Sequence, residues 1–343
     1  PTAGWSAVGG EKVICIGSAC KDVFFPTGEG IITETPEDLM SQKKVAFELG
    51  AKYKIETRYE ALGGCAANVA AGLSRLGVNV ANYSHIGDDE TADWIFGQLK
   101  KNNIDTSLVT IEKNYSSDLS AIIVDQNSGD RVIFTNQKAN GKMKIISEKI
   151  KDANWYFIGD LHGNWENDLD DIIKVAKERG IKVAFNPRQS NIHDNVGKII
   201  EIIPSSDVIF LNKDESIEVL TGLKIDISED NMKDESFILK KLKELGPQVV
   251  VLTDGLRGAW ACDGKSTAYI NATNDHPVDT TGAGDAFASG FLAAHIKGNS
   301  LEECLKWGTA NAGNSVKYFG AIQGLLGVEE MKSKIQPLSI KIL

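Results

Sequence analysis

Four short apolar runs set the frame for this chain: Trp155-Tyr156-Phe157-Ile158, Lys182-Val183-Ala184-Phe185, Val208-Ile209-Phe210-Leu211 and Val249-Val250-Val251-Leu252. Each is short and almost continuously apolar, which is the mark of a strand buried on both faces. Stretches of helical length or polar loop separate them, so the pattern is the strand–helix alternation of an α/β protein with a parallel sheet. Lys12-Val13-Ile14-Cys15-Ile16, ended by Gly17, reads as a further strand of this kind. Val78 to Ile86 reads as another, leading through Gly87-Asp88-Asp89 into a helix to Lys101. At 343 residues there is material for one large α/β domain or two small ones.

The segments just past the strand ends carry the chemistry, because polar loops after successive parallel strands converge on one edge of the sheet. Phe185 leads to Asn186-Pro187-Arg188, Leu211 to Asn212-Lys213-Asp214-Glu215, and Leu252 to Thr253-Asp254-Gly255-Leu256-Arg257-Gly258. Asn212 and Glu215 either hold Mg²⁺ through its waters or form a capping box at a helix start. Asp22, expected in the loop beyond the first strand, either accepts hydrogen bonds from a polyol or is a turn aspartate. His162, in Asp160-Leu161-His162-Gly163, follows a strand and either reaches the site or, as is expected, lies on a surface loop.

Two helices open on glycines. Gly63-Gly64-Cys65-Ala66-Ala67-Asn68-Val69-Ala70-Ala71-Gly72 places Asn68, a donor and an acceptor, where a backbone can approach closely; Ala70, Ala71 and Gly72 suit tight helix packing. Val278-Asp279-Thr280-Thr281-Gly282-Ala283-Gly284-Asp285-Ala286-Phe287 runs from loop into a second, apolar helix. The first amides of a helix lack internal partners and sit at the positive end of its dipole, so they favour an anion such as phosphate. Asp285 at that point is either a proton acceptor for an attacking hydroxyl or an N-cap.

Residues 26 to 62 are irregular around Pro26, Gly28, Gly30 and Pro36, and Tyr53 to Tyr59 alternates as a half-exposed strand does. Leu119–Asp125 and Arg131–Thr135 flank the turn sequence Gln126-Asn127-Ser128-Gly129-Asp130, and with 53–59 they predict a small sheet beside the main domain. Asp263-Gly264 reads as a hairpin turn. With 37 basic and 47 acidic residues the net charge is −10, which suits neither nucleic acid nor an anionic membrane. No apolar stretch is long enough to span a bilayer. The five cysteines, Cys15, Cys20, Cys65, Cys262 and Cys304, are scattered, as expected of reduced thiols in a cytoplasmic protein. The histidines His85, His162, His193, His276 and His295 show no metal-binding spacing. Residues 1–10 are expected to be a disordered arm or an expression remnant.

Taken together, these motifs resemble the ribokinase-like (PfkB) family of small-molecule kinases. The resemblance rests on Asp279–Asp285, on Gly63-Gly64 with Asn68, on Asn212 and Glu215 as the N-x-x-E motif, and on Thr253 to Gly258 as the T-x-G-x-x-G segment. It implies a doubly wound, mostly parallel sheet flanked by helices in a single domain over 11–343, with a small β lid from about 23–60 and 117–135. It implies ATP-dependent phosphorylation of a hydroxyl, with Asp285 as general base and the amides of Gly282, Ala283 and Gly284 as anion hole. Asp22, Gly63, Gly64 and Asn68 would hold the acceptor. Thr253, Gly255, Gly258 and Asn311 would meet the nucleotide, and Asn186 would reach its phosphates. Mg²⁺ would sit by Asn212 and Glu215, and a monovalent cation such as K⁺ by Asp279 and Thr281. The family's cation loop carries a basic pair before Gly-Ala, whereas this chain has Lys317-Tyr318-Phe319-Gly320-Ala321.

The expected acceptor is a fructose- or ribose-like sugar. A nucleoside is the alternative, with Phe24, Phe25 and Tyr59 to stack a base, and a catalytically silent regulator is a third reading. Ile55, Ile122, Val124 and Ile133 suggest apolar lid surface beyond what the cleft uses, hence a lid-to-lid homodimer.

Overall fold

The computed structural model describes residues 10–34, 43–224, 228–273 and 277–343. The N-terminal arm before residue 10, Pro36 and His276 lie outside the described residues.

The main sheet has nine strands. Its order is Ile340–Ile342, Thr267–Ile270, Ala259–Cys262, Val249–Thr253, Val208–Asn212, Lys182–Phe185, Trp155–Ile158, Lys12–Ile16 and Asn79–Tyr83. From Asn79–Tyr83 through to Val249–Thr253 all pairings are parallel, and the remaining three strands join antiparallel. Ala259–Cys262 and Thr267–Ile270 form a hairpin around Gly264.

Strand residues alternate between two cores, as the pleat requires. Val13, Cys15, Phe157, Phe210 and Val251 join one cluster with Val69, Phe291 and Leu305 from helices Cys65–Arg75, Ala283–Ile296 and Leu301–Ser315. Ile14, Ile16, Tyr156, Ile158, Ile209 and Val250 join the other, under helices that include Trp165–Arg179 and Glu235–Glu244. The sheet is therefore doubly wound. Among the described residues no helix is long and apolar enough to cross a membrane.

Beside it stands a four-stranded sheet in the order Arg131–Asn136, Leu119–Asp125, Cys20–Thr27 and Tyr59–Gly63. Phe24, Ala61, Ile122 and Val124 form its small inner core, with Phe319 against them. A separate ribbon pairs Ile31–Glu34 with Lys43–Ala46.

Three expectations need correction. Asp22 is not a loop residue but lies within the Cys20–Thr27 strand, paired with Ala61 and Ser120. The 53–59 stretch forms no strand before Tyr59, because only Tyr53 and Ile55 in it are even half-buried, too little apolar cover to hold a pairing. Ile122 and Val124 are buried in the inner core and Ile133 turns to a cavity wall, so the outer apolar surface of these strands comes instead from Ile32, Val132 and Phe134.

Candidate active site

The loop after residue 278 turns into the helix Ala283–Ile296 at Gly282, whose φ of 72° only glycine adopts readily. Gly282, not Asp285, is the N-cap; Asp285 stands in the first turn, and no side chain caps this helix. The capping reading of Asp285 is thereby corrected. Its carboxylate instead accepts a 2.8 Å hydrogen bond from Asn68 Nδ2 on the facing helix Cys65–Arg75. That helix opens at Gly64, with φ 93°, where a side chain would come within 2.5 Å of the Ser18 carbonyl. Gly72 packs on Ser289, which lets the two helices approach closely. Burial pushes Asp285 up to about 6, against the pull of Asn68 and the Cys65 thiol and with help from Asp160 and Asp22.

A cavity of about 270 Å³ opens in front of Asp285. It gathers Asp22, Gly64, Asn68, Asn186, Glu215, Thr281 and Gly282 from the expected set. The Asp22 carboxyl is held up by burial, partly offset by Ser120 and by the Cys20 thiol, which lies 3.4 Å away. Gly63 does not line this cavity; it faces the Asp22 carboxylate, which a side chain at 63 would displace. Asn186, expected to reach the phosphates of the nucleotide, lies on this wall, and its Nδ2 donates to the Phe210 carbonyl at 3.0 Å.

Sequence reasoning missed several wall residues, among them Ser120, Gln137, Asp160 and Arg188. Asp160 and Arg188 come directly after two of the four apolar strands, so the rule about strand ends was the available signal. His162 is no surface residue: its ring lies 3.5 Å from Asp160 and 3.4 Å from Arg188.

On the other side of the helix start lies a second cavity of about 440 Å³. Thr253, Gly255 and Gly258 line it, with Thr280, Ala283 and Gly284 on the wall nearest Asp285. Gly258, at φ 101°, lies so close to the Ile270 carbonyl that no side chain fits. The loop is tied down by Arg257, which pairs with Asp254 and with Glu235 at 2.8 Å; Glu235 also pairs with Lys213. Asn311 does not reach this cavity. It is fully buried, donating to the Ala286 carbonyl at 2.9 Å and accepting from Leu326 N at 2.9 Å, so its expected nucleotide contact is a helix-packing contact instead. Of the anion-hole amides, that of Ala283 turns back toward the Thr280 carbonyl at 3.3 Å.

The metal expectations are partly rearranged. Asn212 and Glu215 form a capping box: Asn212 Oδ1 accepts from Glu215 N at 2.8 Å and Glu215 Oε2 from Asn212 N at 2.9 Å. Asn212 is exposed and off the cavity wall, because the cap turns its side chain back on the helix. Glu215 is buried on the wall, pushed up to about 7 chiefly by burial. Among the described residues no cluster of three or more His, Cys, Asp or Glu could hold a metal ion. One wall carboxylate nonetheless fits Mg²⁺, which keeps most of its waters and arrives with phosphates. Asp279 is buried and already accepts from Thr281 N and Gly320 N, both at 2.9 Å, while the Thr281 hydroxyl is buried without a partner.

The sequence model of the pfkB family of carbohydrate kinases matches residues 38–326. The chain belongs to that family. PfkB kinases are phosphotransferases acting on hydroxyl groups. The chain is 26% identical to the ATP-dependent 6-phosphofructokinase of Thermoanaerobacterium thermosaccharolyticum, covering 84% of this chain and 89% of that protein. To the cytidine kinase of Thermococcus kodakarensis it is 28% identical, over 75% of this chain and 88% of that one. The structure of a ribokinase from Cryptococcus neoformans in complex with ADP superposes with a TM-score of 0.76 at 21% identity, covering 95% of this chain and 99% of that one.

Proposed function

We propose that this PfkB kinase transfers the γ-phosphoryl group of ATP to a hydroxyl of a small fructose- or ribose-like sugar, in the cytoplasm and as a homodimer. One observation carries the reading. The first turn of helix Ala283–Ile296 lies between the two cavities, with Thr281, Gly282 and Asp285 on the smaller, polar one and Ala283 and Gly284 on the larger.

The acceptor fills the smaller cavity, its hydroxyls meeting Asp22, Asn68 and the backbone at Gly64. Asp285 takes the proton of the attacking hydroxyl. With its carboxyl near 6 it is largely ionised at neutral pH, yet more basic than an ordinary aspartate. ATP lies along Thr253, Gly255 and Gly258. The helix start, with the amides of Gly282 and Gly284, meets the charge that develops on the transferring group. Arg131 reaches from the lid to the Thr280 hydroxyl, and its buried Nε makes no hydrogen bond, so it adds positive charge at the same seam. Mg²⁺, held through its waters by Glu215, would neutralise the phosphates when bound. A monovalent cation would sit at the unpartnered Thr281 hydroxyl, beside the Asp279 clamp.

A nucleoside acceptor fits less well. Among the described residues no aromatic side chain lines the smaller cavity. Phe24 is buried in the lid core, and Tyr59 stacks on Phe319 at 4.6 Å, away from that wall. Dimerisation is favoured by the exposed Ile32, Val132 and Phe134 on the lid's outer strands, which invite pairing. Light scattering giving a monomer mass at micromolar concentration would remove the dimer. A coupled assay with ATP, Mg²⁺ and fructose, ribose, adenosine or cytidine tests the acceptor, and turnover confined to the nucleosides refutes the sugar.

A further inference from the structure

We propose that Asp160 masks Arg188 and so sets the acceptor cavity for uncharged sugars, excluding sugar phosphates and sugar acids. The inference rests on reading that cavity as the acceptor site. Among the described residues its wall carries five carboxyl groups, Asp22, Asp118, Asp160, Glu215 and Asp285, and a single guanidinium, Arg188.

Arg188 would be the natural anchor for an acceptor anion, but its charge is already engaged. Its Nη1 lies 3.7 Å from Asp160 Oδ2 and 3.4 Å from His162 Nε2. Asp160 is itself fixed: it is buried, accepts from Ser18 N at 3.1 Å and from the Ser18 hydroxyl, and has His162 at 3.5 Å. Burial alone would raise its carboxyl; His162, Arg188 and Ser18 outweigh that and hold it below the usual range, so it is ionised at neutral pH.

Asp118 and Asp285 offer an anion nothing. Asp118 is held by the amides of Lys138 at 2.7 Å and Ala139 at 3.0 Å and by Asn140 Nδ2 at 2.9 Å. Asp285 is already raised by burial and then by the charges of Asp160 and Asp22, so a further anion would add to an existing load. A neutral polyol meets the opposite situation. Its hydroxyls can donate to Asp22 and Asp285 and accept from Asn68 and Gln137, exchanging water for good partners. Discrimination thus comes from repulsion built into the wall as much as from attraction.

The test is kcat/KM with ATP and Mg²⁺ for fructose and ribose against fructose 6-phosphate, ribose 5-phosphate and 2-keto-3-deoxygluconate. The best uncharged sugar should exceed the best anionic one by roughly 100-fold or more, the scale of a like-charge penalty. An anionic acceptor used equally well or better overturns the masking and leaves the kinase reading standing. Failure with every sugar sinks the sugar reading and the masking together. In Asp160→Asn, Arg188 is released and the preference should shrink by roughly tenfold; the double variant Asp160→Asn with Arg188→Gln should restore it. An Asp160→Asn protein that folds and keeps the full preference contradicts the mask. Should that variant not fold, Arg188→Gln decides: removing the guanidinium from this wall should deepen the preference, and a lost preference refutes the proposal.

Discussion

The two cavities that meet at the helix start are built on different principles. The smaller one is a wall of titratable and hydrogen-bonding side chains, brought from several strand ends and from the lid. The larger is shaped by glycines, alanines, threonines and backbone, with Asp130 as the only ionisable residue on its wall among the described residues. Each therefore stores its function in a different place. In the first, chemistry resides in side chains, and conservative substitutions should cost catalysis. In the second, shape resides in the absence of side chains, and added atoms should cost nucleotide binding.

The contrast is most exposed at Asp285. Asp285→Asn keeps the shape and removes the base, so kcat should fall by about two to four orders of magnitude with both KM values little changed. A cap would tolerate this exchange, so near-wild-type turnover in a coupled assay would contradict the side-chain account. The next effect falls on the other cavity. Gly258→Val puts a side chain against the Ile270 carbonyl at positive φ. It should raise KM for ATP by roughly tenfold or more and cost about 1–3 kcal/mol of stability, with the acceptor KM unchanged. An equal rise in both KM values would mean the cavities are not separately built.

Asp285 also has a stability signature. Its carboxyl is raised in the folded state, so the stability it contributes is complete below the ordinary range near 3.8 and is lost as pH rises through about 6. At pH 8, Asp285→Asn should therefore be more stable than wild type by about 1–3 kcal/mol in chemical denaturation, and the gap should close near pH 4. A gap independent of pH would contradict a desolvated carboxylate. The smallest effect on function belongs to Asn311. Asn311→Leu strands the buried Leu326 amide, while the Ala286 carbonyl keeps the Ser289 hydroxyl, and costs about 1–3 kcal/mol of stability. KM for ATP should move less than about twofold, because a packing contact carries no binding energy. A large rise in KM would restore Asn311 to the nucleotide.

Much of this was legible in the sequence, and the reason differs by region. The four apolar strands are buried on both faces, so their pattern needed no knowledge of partners. Gly282 and Gly64 announce close approach and positive φ, which are local demands. The misses share a different cause. Asp22 sits in a strand because the Tyr59–Gly63 strand, far along the chain, pairs with it. The Asp160–Arg188–His162 cluster and the Arg257–Glu235–Lys213 ties join side chains from separate loops and helix starts. Asn212 and Asn311 carry amides equally suited to a ligand, a cap or a helix contact, and only the tertiary neighbours choose among them.

Everything proposed for the smaller cavity depends on Asp285 being the base and on Asn68 holding it. The decisive measurement is the pH dependence of kcat/KM for the acceptor, in wild type and Asn68→Ala at saturating ATP. Wild-type activity should fall on an acid limb near 6, and loss of the Asn68 donor, which lowers the Asp285 carboxyl, should move that limb upward. A limb that stays in place in Asn68→Ala, or a wild-type profile flat to pH 4, would contradict the account.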